Sequence, residues 1–154
     1  MFKCCECGQE FDINDKYAEK GDVDLVMVHS KKKELEFIDK VKQINSGKQL
    51  KYYILTMGCQ LNENDSEKLC GMMEAMGYSK TEQLEESDLV VFNTCCVREN
   101  AEDKVYGEIG NLKCLRKKNK NLVLAICGCM VEQPEILQIL LDKFPEVNLF
   151  FGTH

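Results

Sequence analysis

Three cysteines in this 154-residue chain, Cys59, Cys95 and Cys129, are separated by 36 and 34 residues. Each stands just behind a short apolar run: TMGCQLN follows YYIL, TCCVRENAE follows LVVFN, and GCMVEQPE follows LVLAIC. Thiolates are soft ligands that select iron–sulfur clusters, zinc or cuprous copper. A cysteine just ahead of a helix is favoured as thiolate, because the N-terminal end of the helix carries partial positive charge. No His stands near these turns, and a structural zinc site needs a fourth protein ligand. Three thiols alone fit better with a cubane iron–sulfur cluster that leaves one iron open. The competing reading of each cysteine is a small buried residue at a strand end, and spacing leaves both readings open.

The neighbours of these thiols extend the pattern. Gly58 and Gly128 would let the backbone approach an inorganic core closely. Asn62, Asn93 and Thr94 are candidate donors to cluster sulfurs, and Arg98 and Glu99 are placed to meet cluster charge or substrate. Cys96 adjoins Cys95 and cannot easily point at the same cluster, so it reads as a packing residue. Cys127, Cys70 and Cys114 read as packing residues too. Cys4 and Cys7, with Gly8 behind them, form half a zinc knuckle that needs Cys5, His29 or another chain to complete four ligands. Lys113, Arg116, Lys117, Lys118 and Lys120 form the notable basic run. It reads as a solvated helix end favoured by the dipole, with contact to RNA phosphates as the alternative.

The elements that must position these residues can be read from periodicity. Residues 52–57, 89–93, 122–127 and 147–151 are short apolar runs of strand type. Between them, residues 61–76, 97–118 and 135–144 carry helical spacing, with Asn62 or Asn64 as N-cap of the first and Pro134 opening the last. Alternating strands and helices predict a doubly wound α/β domain with a mostly parallel sheet flanked by helices. Three equivalent strand-to-helix turns of a parallel sheet open on one edge, at the carboxyl ends of the strands, where open α/β sheets bind ligands. Residues 1–50 read as a small amino-terminal extension with a strand over 22–29 and a helix over 31–45. Ser46-Gly47-Lys48-Gln49 links it to the domain over 51–154.

Composition bounds the function. Ten cysteines accompany two His, two Pro and no Trp. The first twenty residues lack the apolar core of a signal peptide, and no apolar run of about 18 residues occurs. A membrane role and a disulfide framework are therefore not expected, and a reducing cytoplasm is. With 20 Lys+Arg against 26 Asp+Glu the net charge is -6, a poor electrostatic match for nucleic acid. DNA is not expected as a partner, and any RNA grip is expected outside this chain.

The segments TMGCQLNENDSE, NTCCVRENAEDKVYGEIGNLK and GCMVEQPEIL resemble the amino-terminal domain of the methylthiotransferases. They are most similar to the MiaB-like branch, with VRENAEDKVYGEIG the specific stretch. The resemblance covers residues 51–154. It implies that Cys59, Cys95 and Cys129 ligate an auxiliary 4Fe-4S cluster whose open iron carries sulfur. It further implies 2-methylthio modification of N6-isopentenyladenosine beside the anticodon of tRNA. A second, radical cluster and S-adenosylmethionine would belong to a following domain, with a small RNA-binding domain after it. No CxxxCxxC occurs here, so the radical cluster has no ligands in this chain. The expectation is a fragment or truncated chain that binds a cluster and by itself catalyses nothing. A non-catalytic zinc- or thiol-bearing module on a flavodoxin-like frame is the alternative. A cysteine-based oxidoreductase is weaker, since the CxxC lies in the tail rather than at a strand-to-helix turn.

Overall fold

The computed structural model of the chain describes residues 2–3, 10–11, 31–95 and 101–152. Internal contacts divide the chain into two units, Met1–Phe37 and Ile38–His154. In the first, β1 (Phe2–Lys3) pairs antiparallel with β2 (Glu10–Phe11). The expected strand over 22–29 and Cys4, Cys5 and Cys7 lie outside the described residues. Helix α1 (Lys31–Asn45) falls where three-residue apolar steps place it.

The second unit is built on five parallel strands: β3 (Leu50–Thr56), β4 (Tyr78–Lys80), β5 (Leu89–Thr94), β6 (Val123–Gly128) and β7 (Leu149–Phe151). Their order across the sheet is β4-β3-β5-β6-β7. The chain starts inside the sheet, crosses outward through α2 (Gln60–Ala75) to β4, then returns past β3. From β5 it moves the other way through α3 (Ala101–Lys118) and α4 (Pro134–Lys143). Strand order therefore reverses between β3 and β5, and such a switch point opens a crevice at the carboxyl ends of the strands. The doubly wound α/β reading holds.

Register explains why the runs are apolar on both faces. Tyr52, Leu89 and Val123 are aligned across β3, β5 and β6, as are Ile54, Val91 and Ala125. Tyr52, Leu89, Val91, Ala125 and Cys127 form one cluster with Met73 of α2. The alternate residues Val90, Phe92, Leu124 and Ile126 pack instead with Val105, Ile109 and Leu112 of α3 and Ile136 and Leu140 of α4. Every residue of β5 is buried, as expected for the central strand of a sheet covered on both sides.

Two details differ from the sequence reading. Strand β4 carries no apolar run: Tyr78 is half-buried and Ser79 and Lys80 are exposed, as befits an edge strand. The N-cap of α2 is Cys59, and Asn62 is buried three residues inside the helix. Helix α3 is described over Ala101–Lys118, and residues 97–100 of the expected helix lie outside the described residues.

Candidate metal centre

The three cysteine turns meet at the carboxyl edge of the sheet. Thr56 pairs with Asn93 and Thr94 with Gly128, so the strands end nearly level. Cys59 then caps α2, Cys95 directly follows β5, and Cys129 directly follows β6. Cys59 and Cys95 flank the switch point of the sheet.

Cys59 is exposed, Cys95 buried and Cys129 half-buried. As a thiol, Cys59 donates from Sγ to Asn62 Oδ1 at 3.3 Å. The backbone N–H groups of Asn62 and Leu61, in the first turn of α2, hold its pKa below the ordinary thiol range, and Cys95 contributes in the same direction. Cys129 is placed by its backbone, whose N–H donates to Thr94 O at 3.2 Å, one residue before Cys95. The structure thus brings Cys59 and Cys95 side by side and sets Cys129 on the adjoining turn. Among the described residues, no group of three or more His, Cys, Asp or Glu side chains is gathered tightly enough to hold a metal ion. In donor chemistry the set suits an iron–sulfur group: soft sulfur ligands, one of them held toward thiolate, on a ligand-binding edge.

The two glycines serve the turns themselves. Gly58 has φ +136, and a Cβ there would lie 2.3 Å from Cys95 Cβ and 3.1 Å from Cys95 Sγ. Gly128 has φ +95, and a Cβ there would lie 2.2 Å from Thr94 O. Only glycine lets these turns come so close to β5, which accounts for both residues through protein–protein approach.

Beneath the thiols lies a buried polar network that sequence reading missed. Asn62 Nδ2 donates to Asn93 Oδ1 at 3.1 Å and to Thr94 O at 2.8 Å. Asn93 Nδ2 donates to Asn62 O at 2.7 Å and to Ser66 Oγ at 2.9 Å. Ser66 Oγ is also bonded to Thr56 Oγ1 at 2.6 Å, and Thr94 Oγ1 donates to Cys127 O at 2.6 Å. An amide nitrogen has two protons and a hydroxyl one. The side-chain donors of Asn62, Asn93 and Thr94 are therefore engaged inside the protein, against the expectation that they face cluster sulfurs. A signal was present: Asn62, Asp65 and Ser66 continue the stripe of Leu69, Met73 and Met76, putting polar residues on the buried side of α2.

The remaining thiols sort by face. Cys127 is fully buried, and burial, with Asp65 nearby, pushes its pKa up to about 12, which suits a packing residue. Cys70 is half-buried beside Tyr52. Cys114 is exposed, contrary to the packing expectation: α3 buries Val105, Ile109 and Leu112, and two residues past Leu112 the helix faces water. Cys96, Arg98 and Glu99 lie outside the described residues.

The basic run sits at the other end. Arg116 Nη1 donates to Leu122 O and, at 2.6 Å, to Asn148 Oδ1, which also accepts from Leu124 N–H at 3.0 Å. Lys113 lies 3.7 Å from Glu146 and over the Phe144 ring. Both cations tie the end of α3 to the chain entering β6 and β7, opposite the cysteine edge.

The sequence that builds these turns is similar to that of known proteins. A family profile described as "Uncharacterized protein family UPF0004" matches residues 51–152, which contain all three cysteine turns. The chain belongs to this family. It is the amino-terminal domain of the MiaB-like methylthiotransferases. Relatives named tRNA-2-methylthio-N(6)-dimethylallyladenosine synthase include one from Alkaliphilus oremlandii, 55% identical over 123 residues, covering 80% of this chain and 26% of the relative. One from Acetivibrio thermocellus is 52% identical over 124 residues, covering 77% and 26%. One from Clostridium perfringens is 57% identical over 103 residues, covering 67% and 23%. The chain spans about a quarter of the length of these relatives. The match to the Alkaliphilus protein covers more residues than 51–154 contains, so the likeness to that relative reaches back ahead of residue 51, where the family profile begins. No helix among the described residues is long and apolar enough to cross a membrane.

Proposed function

We propose that this UPF0004 domain is the auxiliary-cluster module of a tRNA methylthiotransferase, with Cys59, Cys95 and Cys129 ligating a 4Fe-4S cluster. The observation that carries the reading is the meeting of three cysteine turns on one ligand-binding edge, in a chain about half identical to the named synthases. When bound, the cluster would supply an iron without a protein ligand as the seat of the sulfur to be transferred. This chain's own residues hold and orient it. The first turn of α2 favours the Cys59 thiolate, and the close packing at Gly58 sets Cys59 beside Cys95. Cys129 follows the turn that Gly128 presses onto Thr94.

The full-length protein of which this is the domain would carry out 2-methylthio modification of N6-isopentenyladenosine in tRNA, in the cytoplasm. The radical cluster, S-adenosylmethionine and most of the tRNA grip would belong to the rest of that protein. The chain alone, with no CxxxCxxC and a net charge of -6, holds a cluster and turns over nothing.

Anaerobic reconstitution with iron and sulfide tests this. The expected product is brown, with about four irons per chain, the content of a cubane cluster. Cys59→Ala, Cys95→Ala and Cys129→Ala lose it, while Cys70→Ala keeps it. The competing reading, a zinc- or thiol-bearing binding module, draws on the finding that, among the described residues, no three metal-binding side chains are gathered tightly enough to hold an ion. Colourless protein with tightly held zinc would favour it, and Cys70→Ala behaving like the other three would sink the ligand assignment.

A further inference from the structure

The buried amide of Asn62 ties together elements that each carry one of the three thiols. It stands in the first turn of α2, 3% exposed, three residues after Cys59, whose Sγ–H it accepts. Its nitrogen reaches across to β5 and donates to both Asn93 Oδ1 and Thr94 O, immediately before Cys95. Thr94 O also accepts from the Cys129 N–H, and the Thr94 hydroxyl donates to Cys127 O, on the strand leading to Cys129. Thr94 O is thus a common anchor for the first turn of α2 and the turn after β6. The return bond from Asn93 Nδ2 to Asn62 O closes a ring of two amides, so neither side chain can rotate without breaking two buried bonds. A buried donor or acceptor left without a partner loses its full solvation, so this ring has one stable arrangement.

We infer that Asn62 is a positioning residue: through Thr94 and Asn93 it fixes the spacing of the Cys59, Cys95 and Cys129 turns and so sets how tightly and in what environment a metal group is held there. It touches no reacting atom. The inference deepens the proposed function and rests on it for the metal, but the placement of the thiols can be read without metal. Gly58 supports the same conclusion from the opposite side. A Cβ there would lie 3.0 Å from Asn62 Oδ1 as well as against Cys95, so Asn62 fills the space between the first turn and the end of β5.

The test compares Asn62→Ala with wild type and with Asn45→Ala. Asn45 is a fair control because its Nδ2 donates to Met76 O at 2.9 Å and it is 7% exposed, at the opposite edge of the sheet. Asn62→Ser replaces Asn62→Ala if the latter does not fold by circular dichroism. The first readout is made on metal-free protein: bridging by dibromobimane, scored as the Cys59–Cys95 cross-linked peptide by mass mapping. The second is made after reconstitution: iron retained against a chelator, and the cluster midpoint potential. Asn62→Ala should lose most of the cross-link, hold iron about tenfold less tightly, as when the partner of a metal ligand is removed, and shift the potential. Asn45→Ala should match its loss of thermal stability and leave all three readouts at wild-type values. Cross-linking and iron retention unchanged in folded Asn62→Ala, or lowered equally in Asn45→Ala, would overturn the inference. If wild type takes up no iron, the proposed cluster fails, and the cross-linking arm alone decides the role of Asn62.

Discussion

Gly128→Ala should damage this domain more than its single added methyl suggests. Position 128 has φ +95, a conformation that costs an L-residue about 1–2 kcal/mol. The new Cβ would also lie 2.2 Å from Thr94 O, 2.8 Å from Thr94 N and 2.8 Å from Asn93 Oδ1. Two of those atoms are backbone within the β5–β6 ladder and the third belongs to the amide ring, so none can swing aside. Forcing extra volume into such a site costs about 1–3 kcal/mol. Together these give about 3 kcal/mol, a large share of the roughly 5–15 kcal/mol that holds a domain folded. Urea unfolding followed by far-ultraviolet circular dichroism measures it directly. Gly110→Ala is the matched control, because a Cβ there meets nothing within 4 Å inside α3. It should gain roughly 0.8–1 kcal/mol from helix propensity alone. Gly128→Ala within about 0.5 kcal/mol of wild type, the range of an ordinary surface change, would refute the reasoning.

Other predictions concern both ends of the sheet. Arg116→Ala should cost about 1.5–3 kcal/mol, because it removes charged hydrogen bonds to Leu122 O and Asn148, and Arg116→Lys should not restore it. Iron uptake should be untouched by either, and a loss of cluster in Arg116→Ala would show that the two edges are coupled. Stability should fall with alkali. Burial raises Tyr52, with Cys70 and Glu74 adding, and burial holds Cys127 up to about 12. Both groups stay neutral in the fold after the unfolded chain has begun to ionise, so their contribution is complete below the unfolded pKa values and declines above about pH 9. Urea midpoints measured from pH 7 upward check this, and a midpoint that rises above pH 9 would contradict it. Relief of the decline in Tyr52→Phe would assign part of it to that residue.

The sequence made the frame legible because the central strands are buried on both faces and appear as unbroken apolar runs. LVVFN becomes part of β5, where every residue is covered. Strand β4 was illegible for the opposite reason: three residues at an edge, two of them exposed, carry no periodic pattern. The cysteine turns could be read from topology, since equivalent turns of a parallel sheet must share an edge. How those turns are held together could not. The roles of Asn62 and Thr94 depend on partners about thirty positions away, and neither residue type announces its partner. The same holds for Gly58, pressed against Cys95 just past β5, and for Gly128, pressed against Asn93 and Thr94 within it. Cys114 failed as a packing residue because one stripe of α3 is buried, and a residue two positions past Leu112 leaves that stripe.

The central claim is that three thiols of this chain, Cys59, Cys95 and Cys129, hold a cubane cluster and leave one iron without a protein ligand. Mild oxidation of the anaerobically reconstituted protein, followed by electron paramagnetic resonance and iron analysis, tests it most directly. The account predicts loss of the open iron first, with a three-iron cluster signal in wild type and no cluster at all in any of the three cysteine variants. A cluster that keeps all its iron under those conditions, or one that survives in Cys129→Ala, would contradict it.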